Sequence, residues 1–149
     1  MNPATQARTP VAGFSIIEIL VVIAIVSTLA MIAAPLLRRP PAQAQLRADV
    51  ARLTAGLRLT RAAAMVQNRA MGLVIDTEGR TFVSPAVPRS ALDDRTEIAM
   101  EVSGPNESTG TIRFFPSGRS SGGRIHLRLD GSEARVQVVW ATGTVFVTE

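Results

Sequence analysis

Cysteine is absent from this 149-residue sequence, so it carries no disulfide framework, no thiolate metal site and no cysteine nucleophile. Histidine occurs once, at position 126, and one imidazole cannot build a histidine metal cluster. Set on the polar side of an alternating stretch, His126 is expected to be an exposed strand residue. Lysine is also missing. Arginine alone supplies all 16 basic side chains against 12 acidic ones, giving a net charge of +4. That mild excess is spread along the chain and does not amount to a nucleic-acid footprint. Serine, histidine and aspartate are present, but no nucleophile motif organises them. No enzyme, no metal and no cofactor are therefore expected.

What the sequence does have is one long apolar run. From Phe14 to Leu37 the only charged side chain is Glu18. As a helix this stretch would be roughly 36 Å long, enough to cross a bilayer core. A carboxylate at mid-span costs about 2.5–3.5 kcal/mol, and less near an end, so a span that keeps one is expected to use it. The run exceeds the apolar core of a secretory signal peptide, and no clean small-x-small cleavage site follows it. Met1 to Gly13 is short and polar and reads as a leader. Pro35 should kink the helix, and Arg38-Arg39-Pro40-Pro41 marks a second bend or break at the membrane exit. Counting arginines around the span would by itself place the C-terminal part in the cytoplasm.

Beyond the break, Leu46, Val50, Leu53, Leu57 and Ala64 recur at helical spacing, with the arginines of the segment mostly off that stripe. The helix is expected to run from Ala42 to Met71 and to end at Gly72, and Asp49 and Arg52, three apart on it, can pair. The pattern then switches to period two, predicting about six to seven short antiparallel strands. Ser84–Arg95 is expected to be a loop. Ser117–Gly123 is expected to form a tight hairpin or bulge, because it lacks a lysine and opens no helix, unlike a phosphate-binding loop. Trp140 and Phe146 are expected in the core or on a sheet surface. Four segments follow: residues 1–13 as leader, 14–37 as transmembrane helix, 38–71 as its amphipathic continuation, and 72–149 as a β-rich domain. The fold class is α+β. A sheet this small would enlarge its core by packing on the Leu46–Leu57 stripe.

Two stretches carry a family resemblance. Gly13-Phe14-Ser15-Ile16-Ile17-Glu18, leading into Ile19-Leu20-Val21-Val22-Ile23, resembles the type IV prepilin signal. The segment Thr111-Ile112-Arg113-Phe114-Phe115-Pro116-Ser117-Gly118-Arg119-Ser120-Ser121-Gly122-Gly123 and its continuation to Leu127 is similar to the signature of minor pseudopilins of the GspH/FimT family. The last hairpin, with Gly143 at its turn, fits as well.

This resemblance implies a pilin-like fold. It also implies cleavage after Gly13 by a prepilin peptidase and methylation of the new N-terminus at Phe14. Glu18 would set register between subunits, and Pro35 would be the helix kink. Phe115, Gly118, Gly122 and Gly123 belong to the signature loop. The protein would be a single-pass inner-membrane subunit with its C-terminal domain in the periplasm, opposite to the arginine count. It would be a structural part of a type II secretion pseudopilus that helps export folded proteins across the outer membrane. Expected partners are major and minor pseudopilins, with the secretin or exoprotein substrates beyond them. The alternative within the family is a type IV pilus minor pilin that binds DNA in natural transformation. Members of that branch carry a basic motif at the last hairpin, whereas this turn reads Gly143-Thr144-Val145-Phe146, so DNA is not an expected partner.

Overall fold

The computed structural model describes residues 15–33, 40–102 and 110–148. The chain divides into two units, Met1–Arg39 and Pro40–Glu149.

In the first unit, Ile16–Ala33 forms α1. Branched aliphatic residues occupy its whole circumference, and the side chains described from Ile16 to Met31 are exposed. A helix that is apolar all round has no preferred face to bury against its own domain. Thr28, one of its few polar side chains, folds its hydroxyl back onto the Ala24 carbonyl at 2.8 Å. Among the described residues no helix is long and apolar enough to cross a membrane. The 18 residues of α1 reach about 27 Å, against a hydrocarbon core of about 30 Å. Gly13, Phe14 and Pro35 lie outside the described residues.

In the second unit, α2 (Ala42–Val66) packs on both of two four-stranded sheets. One sheet has strand order β3-β2-β1-β5, built from Val87–Ala91, Thr81–Ser84, Met71–Asp76 and Thr111–Phe114. The other has order β4-β6-β7-β8, built from Glu97–Glu101, Gly123–Leu129, Ser132–Val138 and Val145–Thr148. All pairings are antiparallel. This is an α+β architecture, with one helix packed on two antiparallel sheets. The predicted stripe of Leu46, Val50, Leu53, Leu57 and Ala64 is buried in full and meets the inner faces of both sheets. Gly56 lets α2 approach β2 closely, since a Cβ there would come within 2.8 Å of the Phe82 ring. Beside it, the buried hydroxyls of Thr60 and Ser84 share a 2.8 Å hydrogen bond, tying α2 to β2.

Three expectations are corrected. The helix does not run to Met71. It ends at Val66, where Asn68 takes a left-handed conformation (φ 47°) and the Arg69 amide donates back to the Ala64 carbonyl. Asparagine tolerates that geometry because its short polar side chain can bond locally. Gly72 instead sits in β1 opposite Arg113. Ser84–Arg95 is not simply a loop, because it contains β3. Its proline, Pro88, is tolerated because β3 is an edge strand. Among the described residues there are eight strands in two sheets, not six or seven in one, because the Ser117–Gly122 segment crosses between layers where a hairpin was expected.

Candidate functional site

The signature segment begins as β5, and its loop starts at Phe115, where that strand ends. Its backbone turns tightly: the Gly118 amide donates to the Phe115 carbonyl and the Phe115 amide to the Arg119 carbonyl, both at 2.9 Å. It then runs back along β5, where Ser121 donates its amide to the Arg113 carbonyl at 2.8 Å and Ser120 bridges Phe114. Ser120 also reaches the other sheet. Its amide donates to the Trp140 carbonyl at 2.9 Å and its hydroxyl to the Val139 carbonyl at 3.1 Å. The segment is thus a staple between the edge of one sheet and the end of β7 in the other. The amides of Phe115, Gly118, Ser120, Ser121 and Gly122 are each spent on a hydrogen bond within the fold.

Helix α2 closes the junction. Arg61 Nε donates to the Gly118 carbonyl at 3.0 Å. Gly143, at the turn into β8, has φ 64° and lies against the same carbonyl. A side chain there would overlap the Gly118 oxygen and approach Arg61 Nε to 2.9 Å. Of the signature residues, Gly118 and Gly122 are buried, Gly123 opens β6 opposite Val138, and Phe115 is surface-exposed. Arg119 lies over the Trp140 ring, 5.2 Å from its centroid, as a cation–π pair. Trp140 and Phe146 are surface aromatics, 60% and 55% exposed. The last turn has no arginine of its own, but Arg61 and Arg119 bring positive charge to it from elsewhere in the chain.

A second constellation was not expected. Asp49 pairs with Arg52 as their spacing allows, but it does much more than that. Its side chain is fully buried and faces the β3–β4 connection. Oδ2 accepts from the Thr96 hydroxyl at 2.7 Å and from the Asp93 amide at 3.0 Å, while Arg52 stands 3.4 Å from Oδ1. Asp93 in turn is gripped by Arg95, whose Nε lies 2.9 Å from Oδ1. The hydrogen bond from Arg95 pulls the Asp93 carboxyl down to about 2. Arg95 also reaches Asp130 at 3.0 Å, tying this connection to the β6–β7 turn. The cluster is a structural clamp. Nothing in the sequence beyond the i, i+3 pair marked it, because Thr96 and Asp93 lie more than forty positions away from Asp49.

His126 is half-buried between Ala99 and Arg135 of the neighbouring strands, and its Nε2 is buried without a hydrogen-bond partner among the described residues. It is not the exposed strand residue expected, because β6 lies inside its sheet, with β4 on one side and β7 on the other. Among the described residues no cluster of acidic, histidine or cysteine side chains could hold a metal. Glu18, in the first turn of α1, is exposed and is the only charged residue in that helix.

The family described as Type II transport protein GspH matches residues 49–143, and the prokaryotic N-terminal methylation motif matches residues 8–34. A protein of Xanthomonas campestris pv. campestris named type II secretion system protein H is 33% identical over 147 residues, covering 95% of this chain and 86% of that one. The minor pseudopilin EpsH of the Vibrio cholerae type II secretion system has a similar fold, with a TM-score of 0.60 and 14% identity over 72% of this chain and 95% of that one. The type IV minor pilin FimU of Pseudomonas aeruginosa is similar too, with a TM-score of 0.58 and 12% identity over 72% of this chain and 90% of that one.

Proposed function

Because the chain belongs to the GspH family of type II transport proteins, we propose that it serves as a structural minor subunit of a type II secretion pseudopilus, assembling with other pseudopilins to help export folded proteins. The observation that carries this reading is α1. It is an apolar helix with no face of its own to bury and a single carboxylate in its first turn, in a chain whose residues 8–34 match a methylation motif. Such a helix needs lipid before assembly and neighbouring helices after it.

In this account a prepilin peptidase cuts after Gly13 and Phe14 becomes the methylated N-terminus. Residues 14–37 anchor the subunit in the inner membrane, with Pro35 as a kink, and the 72–149 domain stands in the periplasm. Glu18 pairs with the free amine of a neighbouring subunit's Phe14. That pairing compensates two charges that are costly in a low-dielectric setting and fixes axial register. The β-rich unit, with α2 as its spine and the signature staple locking its two sheets, contributes surface and no chemistry.

The test is complementation of a strain lacking this gene. Full-length protein should restore export of the secreted proteins, and failure to restore it overturns the reading. Positive charge held near the last turn by Arg61 and Arg119 gives the DNA-binding alternative one observation in its favour. Gel shifts of the full chain across a salt series separate the two, since the alternative predicts steeply salt-dependent binding.

A further inference from the structure

Two four-stranded sheets present four edges, and three of them are guarded. β3 carries Pro88 and Arg89. β4 begins and ends with exposed glutamates, Glu97 and Glu101. β5 is capped by the signature segment, through Ser121 to Arg113 and the Phe114–Ser120 bridge. Charge, proline and covering segments are the devices by which sheets avoid pairing with foreign strands. Among the described residues, the fourth edge, β8, has none of them. It reads Val145-Phe146-Val147-Thr148, with Phe146 55% and Val147 41% exposed.

The ladder settles which backbone groups are free. The Val139 amide donates to the Thr144 carbonyl at 3.0 Å. In an antiparallel ladder bonded and non-bonded pairs alternate. The next bonded pair is therefore Gln137 with Phe146, and the amides and carbonyls of Val145 and Val147 point away from β7. Where β8 begins, a groove of about 440 Å³ separates it from α2. Ala62, Met65, Val66 and Val145 make it apolar, Arg58 and Arg61 make it basic, and no carboxylate is among its lining residues. Arg58 is exposed and has no ion pair among the described residues.

From this we propose that β8 is a docking edge for an extended segment of a partner protein, added as a further strand and carrying an acidic side chain into the groove beside Arg58. The free amides and carbonyls call for a polypeptide strand. The apolar lining calls for aliphatic side chains, and the unpaired arginine calls for a carboxylate. The inference goes beyond the assembly role and stands on the free edge of β8 together with the groove beside it.

Hydrogen exchange of the full-length protein in detergent tests it, with a synthetic peptide of alternating valine and glutamate as probe. The peptide is expected to slow exchange at the Val145 and Val147 amides roughly tenfold or more while leaving β3 unchanged. An alternating valine–lysine peptide should not, and Arg58→Glu should abolish the protection. Val147→Pro removes an outward N–H without touching the β7 ladder, so it should fold normally and lose protection at Val145. Val147→Lys, a guarded edge, should do the same where the proline variant fails to fold. Absence of protection by the valine–glutamate peptide overturns the proposal. So does equal protection by the lysine peptide, and so does protection of the same amides by duplex DNA in place of peptide.

Discussion

Arg61 Nε donates a 3.0 Å hydrogen bond to the carbonyl of Gly118, joining the C-terminal part of α2 to the turn of a segment 57 positions further along the chain. Through that carbonyl it also meets Gly143, so three distant stretches converge on one oxygen. The helix, the crossing between sheets and the last turn are held as a unit by this contact. Removing the donor as Arg61→Ala should lower stability by about 1–3 kcal/mol, the range for a hydrogen bond from a charged group to a buried acceptor. Thermal melting of full-length protein in detergent measures it, and an unchanged melting temperature contradicts the assigned role.

Gly143→Ala probes the same junction from the other side. The position needs positive φ, and a methyl group there overlaps the Gly118 oxygen. The left-handed conformation alone costs a non-glycine residue about 1–3 kcal/mol, and the overlap adds to that. Gly131→Ala is the control. It shares a positive φ of 84° but has open space around it, so it should cost less. Equal losses at the two glycines would show that the contact with Gly118 contributes nothing.

Asp49→Ala should be more damaging than a surface ion-pair deletion. It strands the Thr96 hydroxyl and the Asp93 amide without their acceptor in a buried place. A loss of about 2–4 kcal/mol is expected, compared with at most about 1 kcal/mol for Arg52→Ala on the exposed side of the same pair. A double-mutant cycle between Asp49→Ala and Thr96→Val should show strong coupling.

The Asp93–Arg95 pair gives stability a pH dependence of known sign. Asp93 sits at about 2, below its ordinary 3.8, because Arg95 hydrogen-bonds its charged form. Its contribution is therefore complete above the ordinary value and is lost as pH falls through about 2. Wild type should exceed Asp93→Asn in melting temperature at pH 5, and the gap should close as pH approaches 2. A gap that widens on acidification contradicts the pairing.

The parts of this fold legible in the sequence are those governed by local periodicity. The stripe Leu46–Ala64 and the alternation of Ile125, Leu127 and Leu129 both bury as their spacing requires. The β6–β7 turn was legible from its glycine, and Asp130 joins Gly131 at positive φ. The end of α2 was misplaced because Asn68 can take the left-handed cap that glycine usually provides, which made Gly72 a misleading stop. β3 was hidden by Pro88, whose place on an edge follows only from the sheet order. The roles of Asp49 and Arg61 depend on partners brought near by the tertiary fold, and no pattern within either residue's own helix encodes them. In the signature segment the residue types were recognisable. Its function as a staple between sheets was not, because that requires knowing that β5 and β6 belong to different layers.

The N-terminal processing has its own check. Mass analysis of the mature protein should find an N-terminus at Phe14 bearing one methyl group. A chain that starts at Met1, or beyond Ala30, contradicts the leader assignment. If the proposed cleavage requires a residue without a side chain at this position, Gly13→Leu should leave the leader attached.

The most direct test of the account is the fate of Glu18→Ala. The substitution removes the one charge from α1 and leaves the helix otherwise apolar. The variant is predicted to insert in the membrane and to be processed after Gly13 at wild-type level, yet to be missing from sheared or purified pseudopili. Incorporation of the processed variant at the same level as wild type would contradict the claim that this carboxylate sets the subunit in place.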